Sequence, residues 1–219
     1  RLRRQYKKKL FDPKRLSQKV LAENKRRLGE FGFAGQYLQH PVPAGGGMFK
    51  TGRIRIEEGA PPLGDKRWVS IARFWDKAGT SGGGAYTAGV MIGRWRPHKA
   101  PRDGSEDVYW ILDVVRQQLD SGEREQLIVA TAMRDGKKVM CGLEQEPGSG
   151  GKESAQNSVR RIISALKGKV KVRVLPAIGT KEDRADTWSV LVNQESCRMV
   201  RANWNAALID EMTYFPFST

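Results

Sequence analysis

Acidic residues follow two apolar stretches of the chain, at the point where each stretch ends. Asp76 comes directly after the apolar run at residues 68–75, and Glu144 and Glu146 follow the run at 139–143. A carboxylate is costly to bury, so an acid at the end of a predicted strand needs a partner or solvent. Mg²⁺ prefers hard oxygen ligands and keeps several waters, so two or three carboxylates are enough to hold it. These acids therefore indicate a possible Mg²⁺ site.

Asp76 and Glu144 can share cations only if their two strands are neighbours. If the strands are also parallel, both side chains emerge at one edge of the sheet. Phosphodiester cleavage uses two Mg²⁺ ions about 3.5–4 Å apart to clamp the attacking and leaving oxygens, and this edge would supply most of such a site. The alternative is structural: Asp76 closes a strand at a turn, and Glu144 caps a helix or lies in a loop.

The charge of the chain favours a polyanionic partner. It carries 39 Lys and Arg against 24 Asp and Glu, a net charge of +15, and residues 1–28 hold 12 of the basic and two of the acidic residues. Such a basic arm attracts a polyanion with salt-sensitive affinity, although a solvated helix face beside an upstream domain is an equal alternative. No apolar stretch approaches the roughly 20 residues of a membrane span. Two cysteines provide neither a disulfide framework nor a metal pair and favour a reducing compartment.

Turn-forming residues divide the chain near residue 60. Asp12 followed by Pro13 predicts a helix start, and apolar residues follow at helical spacing. A stretch rich in Gly and Pro at 40–47 and a second loop at 58–65 precede the first convincing strand. We therefore expect a basic arm and linker over residues 1–60 and one folded domain over 61–219.

Strands and helices alternate through the predicted domain. Strands are predicted at 68–75, 86–95, 108–115, 138–144, 170–175 and 197–201, and helices at 121–133, 153–166, 182–193 and 204–214. Three strands joined without helices favour an antiparallel meander, and strands that alternate with helices favour parallel pairing. The predicted fold class is α/β: a mixed sheet of a three-strand meander plus parallel strands, with helices on both faces. Spacing alone does not give the strand order.

The glycine-rich loop before Lys152 resembles a nucleotide-binding P-loop only in part. The motif needs glycine where this chain has Glu146, and Ser or Thr where it has Glu153. ATP binding is therefore not expected, and we predict instead that this loop, with Lys152, lies near nucleic-acid phosphate. Among the tryptophans, Trp95 lies between two arginines and is the candidate for a surface contact with bases; four of the others lie in apolar periodic contexts typical of a core.

Seven short segments, taken in order, resemble the nuclease domain of the large terminase subunit of tailed bacteriophages and prophages. They are RFWDKAGT (73–80), YTAGV (86–90), LDVVR (112–116), LEQEPGSGGK (143–152), GTKEDRA (179–185), WN (204–205) and FP (215–216). The segment FAGQYLQ (33–39) resembles the connection between the ATPase motor and the nuclease of that family, so residues 1–60 would come from the end of the ATPase region.

The resemblance implies a ribonuclease H-like fold, with Asp76 on the central first strand and Glu144 on the adjacent fourth. It implies a two-metal-ion endodeoxyribonuclease that uses Mg²⁺ or Mn²⁺ to cut concatemeric viral DNA during genome packaging. Asp76 and Glu144 match the first two metal ligands and would be the catalytic pair. Glu146 takes the place of Glu144 if the match between this segment and the family motif is shifted by two residues. Lys181 and Arg184 match a basic pair that meets DNA phosphate or else caps a helix.

The resemblance also implies a context for the chain. Double-stranded DNA would be the substrate, the small terminase subunit and the portal protein would be partners in the full-length protein, and the location would be the cytoplasm of the infected bacterium, without membrane association. Another ribonuclease H-like DNA-processing enzyme (a resolvase, integrase or transposase) and a non-catalytic DNA-binding module are the alternatives.

The chain departs from the family pattern in three ways. The family continues past the Phe-Pro element into a His-Asp-Asp segment that supplies a third metal ligand, whereas this sequence ends at Thr219. The family often has Asp where this chain has Ala85, so an auxiliary acid is absent from that position. No Walker motif occurs in the sequence, so only the cutting half of the terminase is expected.

Overall fold

The computed structural model describes residues 12–38, 47–77, 86–145, 152–176 and 178–216. The chain divides into two compact units: one comprises the chain up to Lys50 together with the chain from Ala207, and the other is Thr51–Ala206. The second unit contains every strand of the sheet and therefore carries the candidate site. The domain boundary near residue 60 stays a prediction.

A mixed sheet forms the centre of the second unit and has seven strands among the described residues. They are β1 (Arg55–Glu57), β2 (Trp68–Asp76), β3 (Thr87–Trp95), β4 (Val108–Gln117), β5 (Met140–Gln145), β6 (Val172–Pro176) and β7 (Cys197–Val200). Their order in the sheet is β1-β7-β4-β3-β2-β5-β6. β2, β3 and β4 form an antiparallel meander, and all other neighbours pair in parallel. The predicted α/β class, the meander and the parallel strands are confirmed.

Helices connect the parallel strands and extend into the first unit. The α-helices are α1 (Gln18–Phe33), α2 (Ser121–Asp135), α3 (Lys152–Leu166), α4 (Lys181–Asn193) and α5 (Asn205–Tyr214). Asp120 and Glu123 form a capping box at the start of α2, and Thr180 and Asp183 form another at the start of α4. A capping box satisfies two backbone N–H groups at the helix start, which explains why both helices begin within one residue of their predicted positions.

Helices α2 and α3 cover one face of the sheet. Alternation along a strand directs Trp75 of β2 and Leu143 of β5 to this face. Both side chains are fully buried, and they pack with Ile128 of α2 and Ile162 of α3. Burial of each such side chain contributes about 1.5–3 kcal/mol, so this layer is the main core of the second unit.

Helix α4 lies against the opposite face. Glu144 of β5 points there because it alternates with Leu143. Tyr109 of β4 points there because it alternates with Trp110, whose register partner Gly93 shares the face of Trp75. Arg184 forms an ion pair with Glu144 at 3.1 Å, and the ring of Trp188 meets that of Tyr109 edge-on, with centroids 6.0 Å apart. The sheet is therefore flanked by helices on both sides.

The helix start predicted at Asp12 is wrong. Asp12 accepts a hydrogen bond from the backbone N–H of Arg15 at 3.2 Å, but this caps only an isolated turn. Ser17 caps α1 itself by accepting from the N–H of Val20 at 3.3 Å. Strand β1 is not predicted from the sequence, because it is short and two of its three residues are charged.

The predicted surface contact of Trp95 is also wrong. Trp95 is only 7% exposed, and its ring packs edge-on against Trp68, with centroids 4.9 Å apart. The guanidinium of Arg67 covers the same ring at 4.4 Å. The ring is therefore enclosed by protein and cannot stack on a base.

Aromatic contacts hold the first unit together. α1 continues as a π-helical turn at Ala34–Leu38, where the rings of Phe33 and Tyr37 stack at 4.9 Å and Asn24 donates to the Tyr37 hydroxyl at 2.8 Å. Phe49 and Phe215 meet edge-on at 5.7 Å. Among the described residues, no helix is both long and apolar enough to cross a membrane.

Candidate metal centre

Asp76 and Glu144 lie side by side at one edge of the sheet. β2 and β5 are parallel neighbours in a register that pairs Trp75 with Leu143. The two acids are the next residue of each strand, so they stand at the carboxyl ends, on the face opposite to Trp75. Neighbouring strands are about 4.8 Å apart, so two carboxylates in this position can reach one cation. The expectation that these two strands are parallel neighbours is confirmed.

Two aromatic side chains pack on glycines directly before the acids. Phe74 lies over Gly142 of β5, where an added Cβ would come within 2.5 Å of its ring, and Trp75 lies over Gly89 of β3, where the same distance would be 2.7 Å. Each aromatic residue is the register partner of its glycine. A slip of one residue would lose both contacts and move every side chain to the other face. This packing therefore sets the register that brings the acids together.

Arg184 contacts Glu144 from the α4 side of the sheet. Its Nη1 donates to Oε1 of Glu144 at 3.1 Å, and the two side chains are 40% and 22% exposed. Gly179 takes a left-handed φ of 79° directly before α4, and Thr180 donates its backbone N–H to Asp183, which lowers the pKa of that carboxyl. The capped first turn of α4 thus places the positive charge of Arg184 beside the acid pair.

The acid pair fits a divalent cation. Asp76 and Glu144 offer hard oxygen ligands on neighbouring strands, and waters and substrate oxygens can complete the coordination that Mg²⁺ prefers. Asp76 is exposed and Glu144 is partly buried, so the pair is accessible to a large substrate. Within the ranges that the structure describes, no group of three or more His, Cys, Asp or Glu residues is placed to hold a metal.

The other predicted site residues stay predictions. Glu146 and the glycine-rich loop lie outside the described residues. Lys152 is the first residue of α3, but its side chain is not among those described. Lys181 is exposed at the first position of α4. Because Thr180 and Asp183 form the cap of this helix, Lys181 and Arg184 are not needed for capping.

Arg116 adds a cation to this edge that sequence reasoning missed. Asp76 pairs with Ala88 of β3, and Ala88 pairs with Arg116 of β4, so Arg116 lies two strands from Asp76 on the same face. The guanidinium carbon of Arg116 lies 3.5 Å from the ring centroid of Tyr86. Both residues fall within segments that carry the family resemblance, but only the hairpin register indicates that they meet.

Arg73 belongs to a separate ion-pair cluster on the α2 face. It is 1% exposed and lies 2.6 Å from a carboxylate oxygen of both Asp113 and Asp135, and it donates to the carbonyl of Gly89 at 2.9 Å. Burial opposes its charge, but the hydrogen bonds to the two carboxylates more than offset this and raise the pKa of Arg73. Protein groups satisfy the guanidinium, so this cluster stabilises the fold.

A groove of about 310 Å³ lies at the other end of β2, where Asp65, Trp68, Ser70 and Lys138 are among its lining residues. β2 is nine residues long, and a rise of about 3.3 Å per residue separates this groove from Asp76 by about 25 Å. The groove is therefore separate from the candidate centre.

Comparison with known proteins assigns no family to the chain. No family model matches it, and no curated protein is significantly similar to it. Function is therefore inferred from the geometry of the site, from charge and from the resemblance of the sequence segments.

Proposed function

We propose that this chain is a metal-dependent DNA endonuclease, the nuclease domain of a large terminase subunit that cuts concatemeric viral DNA during packaging. The observation that carries the proposal is the position of Asp76 and Glu144 at the ends of two parallel neighbouring strands. The resemblance expects these acids on the first and fourth strands of a ribonuclease H-like domain. β2 and β5 are the first and fourth long strands of the sheet, which supports that fold.

Charge supports DNA as the substrate. The chain has a net charge of +15, Arg184 contacts Glu144 from α4, and Arg116 lies two strands from Asp76 on the same face. Contacts from such residues to phosphate oxygens depend little on base sequence. The nuclease should therefore bind duplex DNA with low sequence specificity, and the small terminase subunit and portal protein would direct it in the full-length protein.

In this mechanism, the side chains of the protein bind and orient the divalent cations and the DNA. Asp76 and Glu144 would hold Mg²⁺ or Mn²⁺ through their carboxylate oxygens, and Arg184 lies beside Glu144. The packing of Phe74 on Gly142 sets the register of the two strand ends, and a fixed register preorganises the carboxylates. Divalent cations bound there supply Lewis-acid activation of water and neutralise charge on the phosphate. No side chain has to act as the nucleophile.

Cleavage of duplex DNA in Mn²⁺ buffer tests this proposal. Asp76→Asn and Glu144→Gln each remove one ligand charge while keeping the shape of the side chain. We expect each variant to cut about 1,000-fold more slowly, because the lost stabilisation of charge amounts to several kcal/mol. Glu106→Gln is the matched control, since Glu106 is exposed beside the start of β4, at the opposite end of the sheet.

Three outcomes would change the proposal. Cutting at the native rate by folded Asp76→Asn protein would remove Asp76 from the site. DNA binding by the native chain without Mn²⁺-dependent cutting would favour a non-catalytic DNA-binding module. Strand transfer, or a preference for branched DNA, would favour an integrase, transposase or resolvase instead.

A further inference from the structure

Tyr86 and Arg116 form an exposed pair beside the two acids. Tyr86 comes directly before β3, and Arg116 lies near the end of β4. The antiparallel register places both at the edge where Asp76 ends β2. Arg116 is two strand spacings, about 10 Å, from Asp76 on the same face.

The contact within this pair orients the guanidinium. Its central carbon lies over the ring of Tyr86, 3.5 Å from the ring centroid. A guanidinium that stacks through its face directs its N–H donors outward in its own plane, which is the geometry that binds a phosphate through two hydrogen bonds. Tyr86 is 41% exposed and Arg116 is exposed, and a cation–π contact at an exposed site adds little to stability. The guanidinium is therefore exposed at a point where a phosphate can reach it.

The distance between Arg116 and the acids is short enough for both to contact phosphates of one DNA strand. One strand carries a phosphate at every nucleotide and advances about 3.4 Å along the duplex axis per nucleotide, so a separation of about 10 Å spans only a few nucleotides of that strand. A strand with its scissile phosphate at Asp76 and Glu144 would therefore bring another phosphate to Arg116.

We propose that Arg116, oriented by Tyr86, is a subsite for a DNA phosphate a few nucleotides from the bond that is cut. The inference rests on the proposed function for the identity of the neighbouring site. The contact itself needs no metal, because the attraction is between a guanidinium and a phosphate.

Binding of a fluorescently labelled DNA duplex in EDTA, measured by anisotropy over a range of salt concentrations, tests the subsite. Each phosphate that a protein neutralises adds about 0.9 to the slope of log K against log salt. Arg116→Gln should lower this slope by about 0.9 and weaken binding about fivefold to tenfold near 0.1 M salt. Arg102→Gln removes the same charge from an exposed loop at the opposite end of the sheet and should leave the slope unchanged.

Two variants of Tyr86 test the orienting contact. Tyr86→Phe keeps the ring face and should bind DNA as the native chain does. Tyr86→Ala removes the ring and should weaken binding about twofold to fivefold, the usual range for an exposed cation–π contact. Equal binding by both variants would show that the ring plays no part. An unchanged salt slope in Arg116→Gln, or the same loss in Arg102→Gln, would overturn the subsite as a whole.

Cleavage kinetics separate this inference from the proposed nuclease. Arg116 lies away from the reacting bond, so it should bind ground state and transition state alike; Arg116→Gln should raise KM and leave kcat within about twofold. A reduced salt slope in a chain that never cuts DNA would keep the subsite and refute the nuclease. Asp76-dependent cutting with an unchanged slope would keep the nuclease and refute the subsite.

Discussion

Arg184 donates from Nη1 to Oε1 of Glu144 at 3.1 Å, so a guanidinium occupies one side of a carboxylate that the proposed cation needs. Both side chains are partly exposed, and an ion pair of this kind contributes at most about 1 kcal/mol. A divalent cation on Glu144 would repel the guanidinium, whereas a DNA phosphate would attract it. Cation binding and DNA binding should therefore strengthen each other at this edge.

Replacing Arg184 should tighten metal binding in the absence of DNA. Arg184→Gln removes the competing charge from Glu144, and we expect the Mn²⁺ dissociation constant to fall about twofold to fivefold, the equivalent of an exposed ion pair. Isothermal titration with Mn²⁺ measures this directly. Arg201→Gln is the control, because Arg201 forms an exposed pair with Glu58 instead. An unchanged or weaker Mn²⁺ affinity in Arg184→Gln would show that the two cations do not compete.

The strand that carries Asp76 was predictable from its apolar run at residues 68–75, and in the structure its burial alternates. Ile71, Arg73 and Trp75 are buried and the residues between them are less so, which is the two-residue period of a strand. The same alternation explains the error at Trp95. Its arginine neighbours indicate a surface position, yet they point to the other face, while Trp95 points into the packed face of β3.

Pairings between distant segments were not predictable from local patterns. From local patterns, β2 and β5 could only be assumed to be neighbours, because strand order depends on how all the helices and strands pack together. Arg184 reaches Glu144 through the placement of α4, and Arg116 reaches Tyr86 through a hairpin register. No period in the sequence indicates either contact. The role of Glu146 stays a prediction, since it lies outside the described residues.

Gly142 should be essential to the register beside the acids. A Cβ at Gly142 would lie 2.5 Å from the ring of Phe74, so Gly142→Ala should lower the free energy of unfolding by about 1–3 kcal/mol through overpacking. Urea denaturation measures the loss. Gly52→Ala is the matched control, because a Cβ at Gly52 meets no atom within 4 Å.

A double variant locates the cause of that loss. Phe74→Leu removes the ring that a Cβ at Gly142 would meet, so the cost of Gly142→Ala should be smaller in the Phe74→Leu background, giving a coupling energy between the two sites. Strictly additive losses would mean that Gly142 is required for a reason other than its contact with Phe74.

Arg73 should be required for folding rather than for cutting. Arg73→Met leaves Asp135, which is 4% exposed, without its closest partner, and we expect a loss of about 3–5 kcal/mol. Guanidinium chloride denaturation measures it. Adding Asp135→Asn to Arg73→Met removes the uncompensated buried charge and should recover part of the loss. No recovery would indicate that packing of the Arg73 side chain, rather than charge, is what the cluster supplies.

Asp107 should make the free energy of unfolding depend on pH in the acidic range. Its side chain is fully buried between Arg96, whose Nε lies at 2.8 Å, and Arg94, whose Nε lies at 2.5 Å. The hydrogen bonds from Arg96 and then Arg94 hold the pKa of Asp107 below its usual range. A carboxyl with a depressed pKa in the folded state stabilises the protein above its unfolded pKa of about 3.9, and this stability is lost as the pH falls through the folded value.

Asp107→Asn should therefore cost more at neutral than at acidic pH. We expect a loss of about 2 kcal/mol at pH 7, the usual cost of hydrogen bonds to a charged group, and a smaller loss at an acidic pH, because the contribution of the charge is lost as the pH falls through the depressed pKa of native Asp107. Urea unfolding of both proteins at the two pH values measures the difference. Glu106→Gln, at the exposed neighbouring position, should change neither value. If the cost of Asp107→Asn is the same at both pH values, the carboxylate charge is not what stabilises this loop, and the shape of the side chain alone must account for the contact.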